Sequence, residues 1–530
     1  MSATVSEPAS GWSRLLARRS IESLQADAHT SGLPRTLSAL NLTLLGIGCI
    51  VGAGIYVLPG VAAAHFAGPG VMISFLIAGA ACALAALCYA ELASTMPVSG
   101  SAYAYCYAAV GEVFAWSLGW LLLFEYGVAA ALLAVGFSGY LVSLLRDFDI
   151  VIPATLSTPM IQAQAVPGGT VLSSSSSLNL IAMLAIAAVT TVLARGVTTS
   201  ATVNNILVLF KITVLGGLVV VGVAAIDPGN WVPLIPPNEG GFAFGWPGVV
   251  RAASILFFAY IGFDTVSTAA AEARNPQRDL PIGILGSLGA CTVIYIVVAA
   301  VLTGVVPYRE LGVPDPIAVA IDRIGMPVLS TVVKVGALSG LTSVLLVNAF
   351  GQSRVGFAMS RDGLLPPIFS RLGARVRTPS AGIVVFGLIS AVGAALLPLA
   401  LLSDLTSIGI SLAFATVCLT VLWLRNTRPD LERPFRVPLG GFRFGRLWIG
   451  WVPLAGMVLC VGMAAPVVID VGSQAARGQV LPLAILGGYM LAGLVVYFGY
   501  GLRKSSLRHG PNATVSVPNS NAGAPSVGSK

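Results

Sequence analysis

Charge is what this chain most conspicuously lacks. Asp, Glu, Lys and Arg together make up 9% of its residues, against about 25% in soluble globular proteins, so most of its surface needs a solvent other than water. Histidine is nearly missing, with His29, His65 and His509 far apart. The cysteines Cys49, Cys82, Cys88, Cys106, Cys291, Cys418 and Cys460 contain no Cys-x-x-Cys pair. That pattern points away from a metal site, a disulfide framework or a bound cofactor, and towards small residues buried in a core. The first 35 residues contain no signal-peptide core followed by a cleavage site. No polar stretch is large enough for a catalytic domain. The net charge of +8 reads as loops held at an anionic leaflet, not as a nucleic-acid surface.

What is present is long apolar segments. The chain is 56% hydrophobic with a mean hydropathy of +0.89. Twelve stretches approach or exceed the roughly 20 residues that cross a bilayer as helix: 39–64, 70–96, 113–145, 178–196, 204–226, 249–272, 281–306, 328–354, 380–401, 405–425, 448–470 and 480–502. Placing both termini in the cytoplasm puts most lysines and arginines on the inside, in keeping with the positive-inside bias. The expected organisation is a cytoplasmic segment 1–38, a first five-helix repeat 39–226 and a second, with outer loops, 227–425. Helices eleven and twelve follow at 426–502, then a disordered Ser-, Asn-, Gly- and Pro-rich tail at 503–530. Outer loops are expected at 147–177, 227–248 and 307–327.

The first apolar stretch is broken in its middle by Gly46-Ile47-Gly48-Cys49-Ile50-Val51-Gly52-Ala53-Gly54. Each glycine costs a helix about 1 kcal/mol relative to alanine, so this is no simple anchor. A second break falls in the sixth stretch, at Phe258-Ala259-Tyr260-Ile261-Gly262-Phe263-Asp264. Irregular backbone at membrane depth is tolerated only where it is buried in protein or lines a cavity. Two interrupted spans at corresponding places in two halves are a pointer to a transporter's midplane site.

Ionisable groups within spans default to functional hypotheses. Lys211 in the fifth span either snorkels to the interface or aims its ammonium at the broken first helix, where it could replace a bound sodium ion or couple transport to protons. Asp264 either caps the half-helix beginning at Thr265 or faces the substrate side chain. Glu125 is a proton carrier or a structural partner. Glu91 reads as a structural or gate contact, and Glu272 with Arg274 and Arg278 as part of the inner mouth. Asn348 is an interhelical hydrogen-bonding group or pocket lining.

The two breaks suggest complementary chemistry. A half-helix starting after Gly52-Ala53-Gly54 points unpaired N–H groups and a positive dipole end at the cavity, which suits a carboxylate. Freed carbonyls around Phe258, Ala259 and Ile261, with Ile50 opposite, suit an ammonium. A molecule carrying both groups on one carbon is an α-amino acid; a sterol, sugar or inorganic ion would not use both polarities.

Leu45 through Val57, Tyr89 through Tyr103 and Phe257 through Pro281, with Gly351-Gln352-Ser353-Arg354 and Ala358 through Pro366, resemble the cationic amino acid transporter family of the amino acid–polyamine–organocation (APC) superfamily. The resemblance covers roughly residues 30–505. It implies an all-α integral membrane fold of 12 transmembrane helices, a LeuT-like 5+5 inverted repeat plus two extra helices, with the first and sixth helices unwound mid-membrane. It implies that Ile50, Gly52, Ala53, Gly54, Phe258, Ala259 and Ile261 match backbone contacts to an amino acid, and that Lys211 matches a lysine standing in for sodium. Most relatives carry Thr or Ser where Ala53 stands, so that hydroxyl contact is missing here. Asn348 matches a pocket position that is Met in some bacterial members and Ser in animal ones.

The resulting expectation is a secondary active permease for L-amino acids, cationic or polar ones included, working by alternating access. It would be proton-coupled and independent of sodium, in a bacterial cell membrane. An exchanger, or a sensor with little net transport, is the alternative. An integral-membrane enzyme would need clustered histidines or paired carboxylates that the sequence lacks. Expected partners are the amino acid, protons and membrane lipid, with no nucleic acid; a small accessory membrane protein stays open.

Overall fold

Helices account for most of the chain because long apolar segments, deprived of water, satisfy their backbone groups internally. The computed structural model describes residues 36–97, 101–166, 169–196, 201–373 and 378–506. The expected N-terminal segment up to residue 35, Val98-Ser99-Gly100 and the tail beyond residue 506 lie outside the described residues; the start of the tail expected to be disordered is instead ordered, with Leu502–Lys504 helical and Ser505 buried against Glu112.

In chain order the helices are α1 (Ala39–Ile50), α2 (Ala53–Tyr56), α3 (Leu58–Ala62), α4 (Val71–Thr95), α5 (Ser101–Ala109), α6 (Glu112–Arg146), α7 (Ala154–Ser157), α8 (Leu180–Ala194), α9 (Ala201–Ala224), α10 (Gly245–Leu256), α11 (Thr265–Thr268), α12 (Pro276–Val305), α13 (Pro316–Ile324), α14 (Pro327–Arg361), α15 (Ser380–Leu396), α16 (Leu399–Thr427), α17 (Trp451–Ala476) and α18 (Leu481–Val496). Two antiparallel hairpins sit in connections: β1 (Ile161–Val166) with β2 (Gly169–Ser174), and β3 (Gly441–Phe444) with β4 (Leu447–Gly450). Among the described residues, nine helical segments are long and apolar enough to cross a membrane, and three shorter apolar helices accompany them: α1, α8 and α15.

Local chemistry sets the boundaries. Ser38 caps α1 by accepting from Asn41 N–H at 3.4 Å, and Asn179 caps α8 by accepting from Ala182 N–H at 3.0 Å. Proline opens α12, α14 and α13 at Pro276, Pro327 and Pro316, where its missing N–H has no cost. The expected division of 380–425 near 401–405 is displaced. Pro398 forces Leu397 into extended geometry (φ −100°, ψ 139°), so α15 stops there and α16 starts at Leu399.

The bundle is apolar inside and out. Leu184, Ile206, Leu388 and Leu491 are exposed on helix faces while the core is filled by alanine, leucine and valine. A helix hydrophobic all round belongs in lipid or a large core. The principal pairings are α6 with α14, α4 with α12 and α16 with α17.

Candidate functional site

α1 ends at Ile50. Val51 turns away from helical geometry (φ −74°, ψ 89°) and Gly52, at φ −150° and ψ −132°, is neither helical nor a regular strand before the chain coils again at Ala53. The first bonds of the new turn run from Ile55 and Tyr56 N–H to Gly52 O, both 3.1 Å. The N–H groups of Gly52, Ala53 and Gly54 therefore have no backbone acceptor among the described residues. The second break begins as α10 tightens into a 3₁₀ turn, Phe257–Tyr260. Ile261 then extends (ψ 135°), Gly262 takes φ +123°, and helix resumes at Thr265.

The two interruptions lie against each other. A Cβ on Gly54 would stand 2.6 Å from Ala259 Cα, and one on Gly262 would stand 2.6 Å from the Cys49 carbonyl carbon and 2.8 Å from Ile50 N. Only glycine permits that approach, and at Gly262 the positive φ adds a second reason.

Tyr295 of α12, which the sequence reading missed, joins both. Its hydroxyl lies 2.7 Å from Ile50 O and 2.9 Å from Ala259 O. A phenol has one proton to donate, so the two carbonyls share it and retain capacity for another donor. A buried phenol seeks a partner, but a tyrosine in a long hydrophobic segment is a signal that several other tyrosines of this chain share. Tyr140 acts similarly, donating to Tyr56 O at 2.6 Å.

Lys211 does not snorkel: it is 1% exposed, and its Nζ donates to Gly48 O at 3.0 Å and Val51 O at 3.2 Å. Asp264 does not cap α11 with its side chain. Its Oδ1 instead accepts from Gly262 N–H at 3.1 Å and its Oδ2 from the Tyr126 hydroxyl at 3.3 Å. Glu125, next to Tyr126 on α6, is buried with Oε2 lacking a hydrogen-bond partner. Asn348 donates to Val344 O at 3.1 Å, one turn back on α14, and its Oδ1 is buried and unpartnered. Val344 is the residue that a Cβ on Gly52 would strike, which puts Asn348 one turn from the first break. Ile50, Gly52, Ala53, Gly54, Phe258, Ala259 and Ile261 are all buried.

Other charged residues tie separate elements together. Glu91 takes a bidentate ion pair from Arg425, and Val437 N–H donates to it at 2.8 Å. Arg251 reaches Asp404 at 2.8 Å and Asp470 at 3.1 Å. Lys334 bridges Asp147 at 2.8 Å and Asp322 at 3.0 Å. The segment before α1 pairs with the one after α11: Leu37 N–H donates to Glu272 O at 3.0 Å and Arg274 N–H to Leu37 O at 2.8 Å. Among the described residues, no group of three or more His, Cys, Asp or Glu could hold a metal ion.

Residues 37–491 match the family model described as amino acid permease. The chain is 42% identical over 426 residues to the methylthioribose transporter of Bacillus subtilis, covering 80% of this chain and 89% of that protein. It is 39% identical over 492 residues to the branched-chain amino acid permease BcaP of Bacillus subtilis, covering 92% and 98%. With the vacuolar cationic amino acid transporter 4 of Arabidopsis thaliana it shares 38% over 399 residues, covering 75% and 64%. The chain belongs to the amino acid permease family of the APC superfamily.

Proposed function

We propose that this multi-pass membrane protein carries L-amino acids by alternating access, coupled to protons and independent of sodium. The observation that carries the reading is the contact between the two chain interruptions, through Gly54 and Ala259 and through Gly262 and Cys49. Three N–H groups at Gly52, Ala53 and Gly54 suit a carboxylate. The carbonyls of Ile50 and Ala259, which share the single Tyr295 proton, and that of Ile261 suit an ammonium; Phe258 O is not freed as expected, since it accepts from Ile261 N–H at 2.9 Å. The nine long helices and three shorter apolar ones support twelve spans, arranged as two inverted five-helix repeats (39–226 and 227–425) followed by two further helices (426–502). Mid-membrane unwinding at both breaks and cytoplasmic termini belong to the same proposal, the latter from the placement of Lys and Arg. The bacterial relatives support a cell membrane location.

Lys211 occupies the first break as a fixed cation, which removes the need for sodium there. The coupled proton is carried either by Lys211 itself or by Glu125, which is buried with a carboxylate oxygen lacking a hydrogen-bond partner. Asp264 and Asn348 make the side-chain pocket polar, which favours arginine, lysine or other polar amino acids beside small neutral ones. Counterflow into proteoliposomes with a full amino acid panel, with and without a pH gradient, tests this. Uptake should be stereoselective, inhibited by arginine or lysine, and raised by an inward proton gradient. Absence of counterflow with every amino acid would sink the proposal.

A second reading comes from the relative named for methylthioribose, a sugar with neither carboxylate nor ammonium. That name makes a sugar the second substrate class to test on this chain. Inclusion of methylthioribose in the panel separates the readings: competition by it, without competition by amino acids, would favour the sugar.

A further inference from the structure

The hairpin of β3 and β4 joins α16, which ends at Thr427, to α17, which starts at Trp451. Both helices are apolar enough to span a membrane, so the hairpin sits where the hydrocarbon ends. Its register pairs Phe442 with Ile449, Arg443 with Trp448 and Phe444 with Leu447. Cross-strand partners share a face and neighbours alternate, so Phe442, Phe444, Leu447 and Ile449 fall on one side. Arg443 and Trp448 fall on the other. Phe444 is 73% exposed, Leu447 57% and the neighbouring Leu439 78%. An exposed aromatic and aliphatic face on a soluble loop would be an aggregation liability.

Charge identifies what meets this face. From Arg433 to Gly450 the sequence holds Arg433, Arg436, Arg443 and Arg446 and no acidic residue. Arg436, Arg443 and Arg446 are exposed and make no ion pair among the described residues. Arg446 sits in the turn between Phe444 and Leu447, so an arginine adjoins the apolar face at the end of a span while Arg443 extends from the other side of the hairpin. That combination matches the headgroup layer of anionic phospholipid, with guanidinium to phosphate and apolar face to the upper acyl chains.

The hairpin is held firmly enough to present that surface. Asn426 Nδ2 donates to Trp448 O at 2.8 Å and its Oδ1 accepts from Trp448 N–H at 2.7 Å. The Arg425 guanidinium lies 4.5 Å from the Trp448 ring centroid, and Arg425 is itself fixed by Glu91 of α4. The Phe442 ring lies 4.7 Å from that of Trp451.

We propose that the β3–β4 hairpin and Arg436 form a docking surface for anionic phospholipid. The test is native mass spectrometry of the full chain in neutral detergent, titrated with phosphatidylglycerol or phosphatidylcholine of equal chain length. Phosphatidylglycerol should be retained preferentially. R436Q/R443Q/R446Q should weaken its retention at least about 10-fold, F444S/L447S should weaken it less, and R309Q/R323Q, in other loops, should leave it unchanged. If the triple variant does not fold, R446Q alone, at the hairpin turn, should weaken retention about fivefold. Equal retention of the two lipids by the unaltered chain overturns the proposal. So does phosphatidylglycerol retention that survives the arginine changes, or a dimer in size-exclusion chromatography that F444S/L447S dissociates, since the face would then belong to a second copy.

Discussion

The ammonium of Lys211 lies 3.0 Å from the carbonyl oxygen of Gly48. Val51 O is its other partner, at 3.2 Å, so one side chain of α9 occupies two of the acceptors at the end of α1, Ile50 O being held by Tyr295. Removing a buried donor leaves both carbonyls unsatisfied, at about 1–3 kcal/mol each. Lys211→Ala should lower proteoliposome uptake at least about 10-fold while the protein still reaches the membrane. Full uptake in that variant would show that the contact is dispensable.

Tyr295 links the two interruptions through one hydroxyl. Tyr295→Phe keeps the ring and removes the proton shared by Ile50 and Ala259, a loss of about 1–2 kcal/mol. Thermal unfolding in detergent should shift downwards by a few degrees, and the KM for amino acid should change. An unaltered melting curve and KM together would count against a role for Tyr295 in joining the breaks.

Gly262 has no room for a side chain, because a Cβ would stand 2.6 Å from the Cys49 carbonyl carbon at a φ of +123°. Gly262→Ala should destabilise by about 1–3 kcal/mol from backbone strain alone and abolish uptake by pushing the breaks apart. Gly487→Ala, where nothing lies within 4 Å, is the control and should retain uptake.

Asn348 carries a buried, unpartnered Oδ1. Asn348→Leu should make arginine and lysine poorer competitors by about 10-fold, the discrimination expected when a polar partner worth 1–3 kcal/mol is withdrawn, with leucine competing as well or better. Competition curves for the two classes that move in parallel would remove Asn348 from the specificity determinants.

Arg251 is buried between Asp404 and Asp470. Deleting it strands two carboxylates, and breaking a buried pair costs about 3–5 kcal/mol. Arg251→Met should lower the thermal midpoint strongly, and Arg251→Met with Asp404→Leu should recover part of the loss. Failure of the second change to recover any stability would mean that the ion pairs are not the cause.

The sequence was legible where a single segment decides its own structure. Runs of apolar residues must be helical in lipid, so the long helices lie near their expected places. The expected break over residues 46–54 is narrower than the glycine run: Gly46 and Gly48 stay within α1, and only Val51 and Gly52 leave helical geometry before the chain coils again at Ala53. Pro398 marks the α15–α16 boundary through its effect on Leu397, a local signal that hydropathy does not contain.

Partnership was less legible, because it depends on residues far apart in the chain. Lys211 had two readings by sequence, and only the approach of α9 to α1 shows it to be buried on Gly48 and Val51. The capping role open to Asp264 failed because Gly262 and Tyr126 supply competing donors. Tyr295, 245 residues from Ile50, carried no local mark distinguishing it from any other tyrosine in a span. Backbone preference and hydropathy are properties of neighbours along the chain, so the sequence alone determined the helices and where they weaken. Which carbonyl meets which donor depends on how helices pack, and only the tertiary structure decided that.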